Sequence, residues 1–274
     1  TVDITDKVCP LTFVKAKVQL PSILSSNMVL QQHTNVKLWG KAQKNSPITI
    51  KTSWDNKTYK TIADKQGKWL LNISTPVAGG PYEITFNDGE LLTLKNILIG
   101  EVWFCSGQSN MEMPMSGFDR QPTQGTNDVI AKAKASTPIR IYNTDSKDGK
   151  WIRQFSKTPE EDCKGEWLEN TPVNVSHTSA TAYFFAQYLQ EVLEVPVGII
   201  ISSLGGSKVE AWMSREAITP FKSIDLSILN NNEPIKNITA TPCVLYNSKI
   251  APFTNFTIKG FLWYQGESNR DNVD

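Results

Sequence analysis

The chain of 274 residues lacks any marked charge imbalance: 28 lysines and arginines stand against 27 aspartates and glutamates, a net charge of +1. No basic run forms a stripe, which argues against a nucleic-acid partner. Long apolar runs are also missing. The stretch 195–201 is far shorter than the ~20 residues of a membrane helix, so no span is expected. Low-complexity tracts and repeats of solenoid or propeller period are absent. Histidine is scarce, with only His33 and His177. Cys9, Cys105, Cys163 and Cys243 are scattered without CxxC spacing, which excludes the common zinc and redox motifs. No His/Cys/carboxylate cluster has metal-ligand spacing, so neither metal nor organic cofactor is expected. The thiols read as buried and free, with a Cys9–Cys163 or Cys163–Cys243 bridge as the alternative in an exported protein. Sequons at Asn56, Asn72, Asn174, Asn237 and Asn255 carry little weight in a chain this rich in Asn, Ser and Thr. The start at Thr1 shows no signal peptide and suits a processed secreted protein or a trimmed chain.

What is present falls into two grammars. Up to residue 95, short β-branched and aromatic runs (36–39, 47–52, 58–62, 69–72, 82–86 and 91–94) are separated by turn signals such as Asn87-Asp88-Gly89. Six such runs without helical periodicity predict a small antiparallel β-sandwich over 1–95. From residue 96 the pattern alternates. Strands are expected at 97–105, 139–142, 197–202 and 258–264, and helices at 127–135, 179–193, 209–217 and 243–250. On the helix 179–193, Tyr183, Phe184, Ala186, Tyr188 and Leu189 are expected to crowd one side. This alternation predicts an α/β fold with a parallel sheet and flanking helices over 96–274. Residues 143–175 read as a long surface loop.

Three polar, glycine-bearing turns follow three of the expected strands. Cys105-Ser106-Gly107-Gln108-Ser109-Asn110-Met111 raises a serine above the sheet edge where ligands of such folds bind. There the amides of a following helix can meet a developing oxyanion. The spacing differs from the GxSxG elbow, and Ser109 as a simple helix cap is the alternative. Ser202-Ser203-Leu204-Gly205-Gly206-Ser207 brings a diglycine turn to the same edge, where backbone can approach a ligand closely. Trp263-Tyr264-Gln265-Gly266-Glu267-Ser268-Asn269 brings a side-chain amide. Glu112 and Glu267 are candidates for an acid–base pair acting on a glycosidic bond, though support of the turns suits them better. Trp212, Trp263 and Tyr264 are candidates for stacking on a sugar, with core packing as the alternative.

Taken together, these segments resemble the sialate O-acetylesterase family, a branch of the SGNH hydrolases related to acetylxylan esterases. The matching stretches are Pro21–Gln31, Gly100-Glu101-Val102-Trp103, Ser106–Met111, Gly205–Trp212, Thr241–Asn247 and Trp263–Asn269. The resemblance implies that Ser109 is the nucleophile of acetyl-ester hydrolysis through an acetyl-serine. It also implies oxyanion donors from the Ser109 amide, the Gly206 amide and the Gln265 side chain, with Asn110 and Glu267 in support. The implied substrate is an O-acetylated sugar or glycan, and the implied setting secreted, periplasmic or lysosomal. One departure stands out. The family's catalytic histidine lies near the C-terminus, and neither His33 nor His177 matches its position. The SGNH domain is therefore expected to be C-terminally incomplete, with a C-terminal fragment of the same protein as partner and this chain inactive alone. The alternative is a truncated, non-catalytic carbohydrate-binding relative.

Overall fold

A computed structural model describes residues 18–144, 146–147 and 150–270. Its first part is made of β1 (Val29–Gln31), β2 (Asn35–Lys41), β3 (Pro47–Thr52), β4 (Thr58–Ile62), β5 (Lys68–Ser74) and β6 (Gly79–Asn87). The period-2 patterning decides their faces: Ile48 and Ile50 of β3, Ile84 and Phe86 of β6, and Val36 and Leu38 of β2 are all fully buried. The ribbon β2–β5 and the strands β4-β3-β6 direct these residues into one cluster with Trp69 and Ile73.

The seventh strand, β7 (Leu91–Gly107), runs for 17 residues and joins the two halves of the chain. Its first part pairs antiparallel with β6 and parallel with β1. Its second part pairs in parallel with β12 (Val197–Ser203) on one side and β13 (Gly260–Tyr264) on the other. Between β7 and β12 stand β8 (Ile139–Asn143), the two-residue strands β9 (Ser146–Lys147) and β10 (Lys150–Trp151), and β11 (Glu166–Glu169). The nine-stranded sheet follows the order β11-β8-β12-β7-β6-β3-β4, with β1 and β13 also on β7.

The boundary expected at 95/96 falls inside β7, at Asn96, whose φ is 57°. Asn tolerates this left-handed conformation, so the strand continues where Lys95-Asn96 reads as a break. Phe104, Tyr142, Trp167 and Phe253 from the later region belong to the same buried cluster as the β-rich residues. The tie at the middle of β7 is polar. Glu101, 6% exposed, accepts from Gln31 Nε2 at 3.2 Å and Gln32 Nε2 at 2.6 Å. Gln31 Oε1 accepts from the Val102 amide at 2.9 Å. Gly100 is obligatory, since a Cβ there would lie 1.9 Å from the Pro196 carbonyl oxygen.

The helices are α1 (Ser109–Glu112), α2 (Asn127–Lys132), α3 (Pro172–Ser176), α4 (Ala180–Leu193), α5 (Arg215–Ile218) and α6 (Val244–Lys249). Ser179 caps α4 by accepting from the Ala182 amide. Phe185 of α4 packs edge-on against Trp103 of β7, with ring centroids 4.9 Å apart.

Four expectations are corrected here. The sheet is mixed rather than parallel, because β11 pairs antiparallel with β8. Residues 143–175 are not all loop: Trp167 of β11 is buried and donates to the Ile23 carbonyl at 2.8 Å. The helix expected over 209–217 is a 3-10 turn (Val209–Trp212) and the short α5, separated by extended backbone at Met213 and Ser214. On α4, Tyr183 and Ala186 are buried whereas Phe184 and Tyr188 are 39% and 70% exposed. As for the cysteines, Cys105 and Cys243 are buried free thiols, so the Cys163–Cys243 bridge is not formed. Cys163 and Cys243 lie in different buried clusters. Cys9 lies outside the described residues.

Candidate active site

β7, β12 and β13 run parallel and end together, so the turns that follow them share one edge of the sheet. At the first turn, Gly107 has a φ of 144°, and a Cβ there would lie 2.0 Å from the Tyr264 carbonyl oxygen of β13. Only glycine permits this approach. Gln108, 2% exposed, donates its amide to that same carbonyl at 2.9 Å. Its side-chain Oε1 accepts from the Gly266 and Ser268 amides, both at 3.3 Å. The turn after β13 is thereby fastened to the turn after β7.

Ser109 then opens α1 and is half-buried. Its backbone N–H has no acceptor among the described residues, and neither has that of Gly206, which is exposed at a φ of 71°. The two turns are close: a Cβ on Gly205 would lie 3.7 Å from Ser109 Cβ. Glu112, one helical turn after Ser109, accepts from the Gly205 amide at 2.6 Å. Because α1 has only four residues, a helix dipole adds little to the field at Ser109. The local amides matter instead.

Asn110 donates its side-chain amide to Glu267 Oε1, so both expected supports meet across the cleft. Gln265 Nε2 donates to the Ser207 carbonyl at 3.2 Å and to Asn269 Oδ1 at 2.6 Å. Both of its hydrogens are therefore engaged, and donation to a developing oxyanion requires one of these bonds to be given up. Asn269 Oδ1 also accepts from the Val209 amide at 2.9 Å, while its Nδ2 donates to Glu210 Oε2 at 2.9 Å. Ser207, fully buried, donates to the Leu204 carbonyl and accepts from Trp212 Nε1 at 2.8 Å. Gln108, Glu112, Ser207 and Asn269 thus lock the three turns together. Sequence alone assigns no such role to Gln108, Ser207 or Asn269. Their contacts join residues as many as 160 positions apart, and the only local signal is a polar side chain inside a glycine-bearing turn.

The remaining candidates separate by burial. Trp212 is 6% exposed and packs edge-on to Trp263 at 5.9 Å. Trp263 and Tyr264 are 40% and 47% exposed. Glu112 and Glu267 are each engaged with a neighbouring turn or side chain. Burial pushes the Cys105 thiol up to about 12, so this neighbour of the turn stays protonated and unreactive at neutral pH. His33 stands between β1 and β2 at a φ of 52°. His177 ends α3, is exposed and lines a cavity of about 250 Å3 with Glu112 and Ser203. Neither histidine is hydrogen-bonded to Ser109 among the described residues. A larger cavity of about 550 Å3 lies away from these turns, between β2, β5 and residues 160–162. Among the described residues, no group of three His, Cys, Asp or Glu is placed to hold a metal. No helix among them is long and apolar enough to cross a membrane.

Comparison with known proteins identifies relatives of the chain. The chain is similar to the mouse sialate O-acetylesterase, at 27% identity over 91% of this chain and 52% of that protein. The human sialate O-acetylesterase is also 27% identical, over 90% and 48% respectively. The crystal structure of a carbohydrate acetylesterase from Xanthomonas citri superposes with a TM-score of 0.77 at 31% identity, covering 92% of this chain and 52% of that one. The chain thus spans about half the length of the relatives it matches. Residues 99–274, well over half of the chain, match the profile of the carbohydrate esterases termed sialic acid-specific acetylesterases, and the chain belongs to that family.

Proposed function

We propose that this chain carries the nucleophile and oxyanion hole of a carbohydrate O-acetylesterase that hydrolyses acetyl esters on sugars. The observation that supports this most is the pair of unengaged amides, Ser109 N–H and Gly206 N–H, flanking a half-buried serine where β7 and β12 end. Donors held in place before reaction stabilise charge on a tetrahedral intermediate without reorganisation. In the proposed reaction, Ser109 Oγ attacks the acetyl carbonyl and its proton passes to a general base. The oxyanion is held by the two amides and by Gln265 as it exchanges one of its present partners. Collapse expels the sugar hydroxylate, which takes the proton from the conjugate acid of that base. Water then repeats the sequence on the acetyl-serine and releases acetate. In this reading the base is a histidine other than His33 and His177, neither of which is hydrogen-bonded to Ser109 among the described residues. Asn110 and Glu267 keep the turns in register and touch no reacting atom. The chemistry as proposed calls on no metal or organic cofactor. The substrate class is an O-acetylated sugar or glycan, in a secreted, periplasmic or lysosomal setting.

The test is Ser109→Ala in the full-length protein with p-nitrophenyl acetate as substrate. Loss of turnover with an unchanged circular dichroism spectrum is expected; near-wild-type turnover in the folded variant would sink the assignment.

A further inference from the structure

The cavity of about 250 Å3 beside the nucleophile turn contains a feature that the chemistry above does not use. Ser203, the last residue of β12, is 1% exposed, lines this cavity, and its hydroxyl has no hydrogen-bond partner among the described residues. Buried hydroxyls are ordinarily satisfied, since leaving water without a replacement bond is costly. An unsatisfied hydroxyl on a cavity-lining residue can gain its missing bond from a ligand that enters the cavity. The cavity adjoins the proposed site. Ser203 pairs in register with Gly107, and Glu112 both lines the cavity and holds the Gly205 amide.

The lining sets the ligand's chemistry. Ser116, Asn143, His177 and Ser203 offer hydrogen-bonding groups, while Phe118 and Ile201 offer apolar surface for a C–H face. Among the described residues no lysine or arginine lines the cavity, and Glu112 and Asp119 do, so an anionic group is disfavoured there. The volume lies below the ~300–1,000 Å3 of drug-sized pockets and suits a single sugar ring or polyol arm.

We infer that this cavity is the sugar subsite of the esterase, that it takes an uncharged, hydroxyl-bearing part of the substrate, and that Ser203 recognises one of its hydroxyls. The inference rests on the acetylesterase reading for its place in the reaction. A neutral pyranoside would enter whole. An acidic sugar would enter by its uncharged arm, with its carboxylate held outside.

The test combines binding and turnover in the full-length protein. Saturation-transfer NMR measures binding of methyl β-D-xyloside, a neutral probe, and of the methyl glycoside of N-acetylneuraminic acid, an anionic one. Ser203→Ala should weaken the xyloside about fivefold, the worth of one neutral hydrogen bond, without lowering Tm, because the hydroxyl holds nothing in the unliganded fold. His177→Ala should weaken it as well, and Ser203→Leu, which fills the cavity, should abolish it. In parallel, Ser203→Ala should lower the ratio of kcat/KM for an acetylated xyloside to that for p-nitrophenyl acetate by a similar factor. Ser203-dependent binding of the sialoside would mean that its uncharged arm occupies the cavity. Ser109-dependent hydrolysis with binding indifferent to all three variants overturns the subsite and leaves the esterase reading intact. Ser203-dependent binding without Ser109-dependent hydrolysis supports the subsite and overturns the esterase reading. Absence of binding by either probe overturns the subsite.

Discussion

Gly107 and Gln108 determine where the Ser109 hydroxyl stands, and neither is interchangeable. A Cβ at Gly107 would collide with the Tyr264 carbonyl, backbone that has no room to yield. Gly107→Ala should therefore cost more than about 1 kcal/mol of stability and separate the turns after β7 and β13. Urea unfolding with an acetate-release assay checks both effects. Gln265 raises a finer question, because both hydrogens of its Nε2 are already engaged. If one is redirected in the transition state, Gln265→Ala should lower kcat about a hundredfold while KM changes little. A fall in Tm with kcat preserved would make it a structural brace alone. Cys105, its thiol pushed up to about 12 by burial, should resist iodoacetamide at neutral pH in the folded protein, as peptide mapping can show. At this scale the glycine-bearing turns were legible, because unusual backbone leaves a mark on residue type. The braces Gln108, Ser207 and Asn269 were not, since a polar side chain in a turn looks alike whether it faces water or another turn 160 residues away.

Among the elements, the strands were the most readable, since alternation and unbroken apolar runs follow directly from burying one face or two. What escaped notice was governed by partners. β11 is four residues, Glu166-Trp167-Leu168-Glu169, whose strand character comes from pairing with β8 rather than from its own pattern. The 209–217 segment has helical periodicity but breaks where Ser214 turns extended to cap α5. The pattern changes at Lys95-Asn96, yet β7 continues through it. The middle of β7 depends on Glu101. Glu101→Ala would strand the buried Gln31 amide, costing about 1–3 kcal/mol in chemical unfolding. The β2–β5 ribbon is tied more loosely, by Lys41 and Lys68 to the exposed Glu161. Hydrogen bonds from Lys41 and then Lys68 hold Glu161 at about 2, below its ordinary 4.5. A depressed carboxylate stabilises the fold above its unfolded pKa and loses that contribution as pH falls through the folded one. Glu161→Gln should therefore cost less than about 1 kcal/mol at neutral pH, and the difference from wild type should vanish as pH falls from 4.5 toward 2.

For the whole molecule, the surroundings of Ser109 carry the main consequence. Ser109 has open amides beside it and no described histidine within its hydrogen bonds, and a serine hydroxyl without a base is a poor nucleophile at neutral pH. The 274-residue chain by itself should therefore release acetate slowly, on the order of a thousandfold above water at most. The full-length protein, or the chain supplied with the remaining polypeptide, should turn over far faster. Equal rates would place the base within these residues and make His177 the first suspect. The mixed α/β character was legible from the alternation after residue 96, while a core shared across residue 95 leaves no local mark. Composition changes near residue 95, but Phe104, Tyr142 and Trp167 pack among the side chains of the earlier β strands. The central claim is that Ser109 forms an acetyl ester, and it is tested most directly by quenching the full-length protein during turnover of an acetylated sugar and mapping its peptides by mass spectrometry. One acetyl group on the peptide containing Ser109, absent from Ser109→Ala, is the predicted result. Hydrolysis that proceeds in Ser109→Ala, or an acetyl group found on another residue instead, would contradict it.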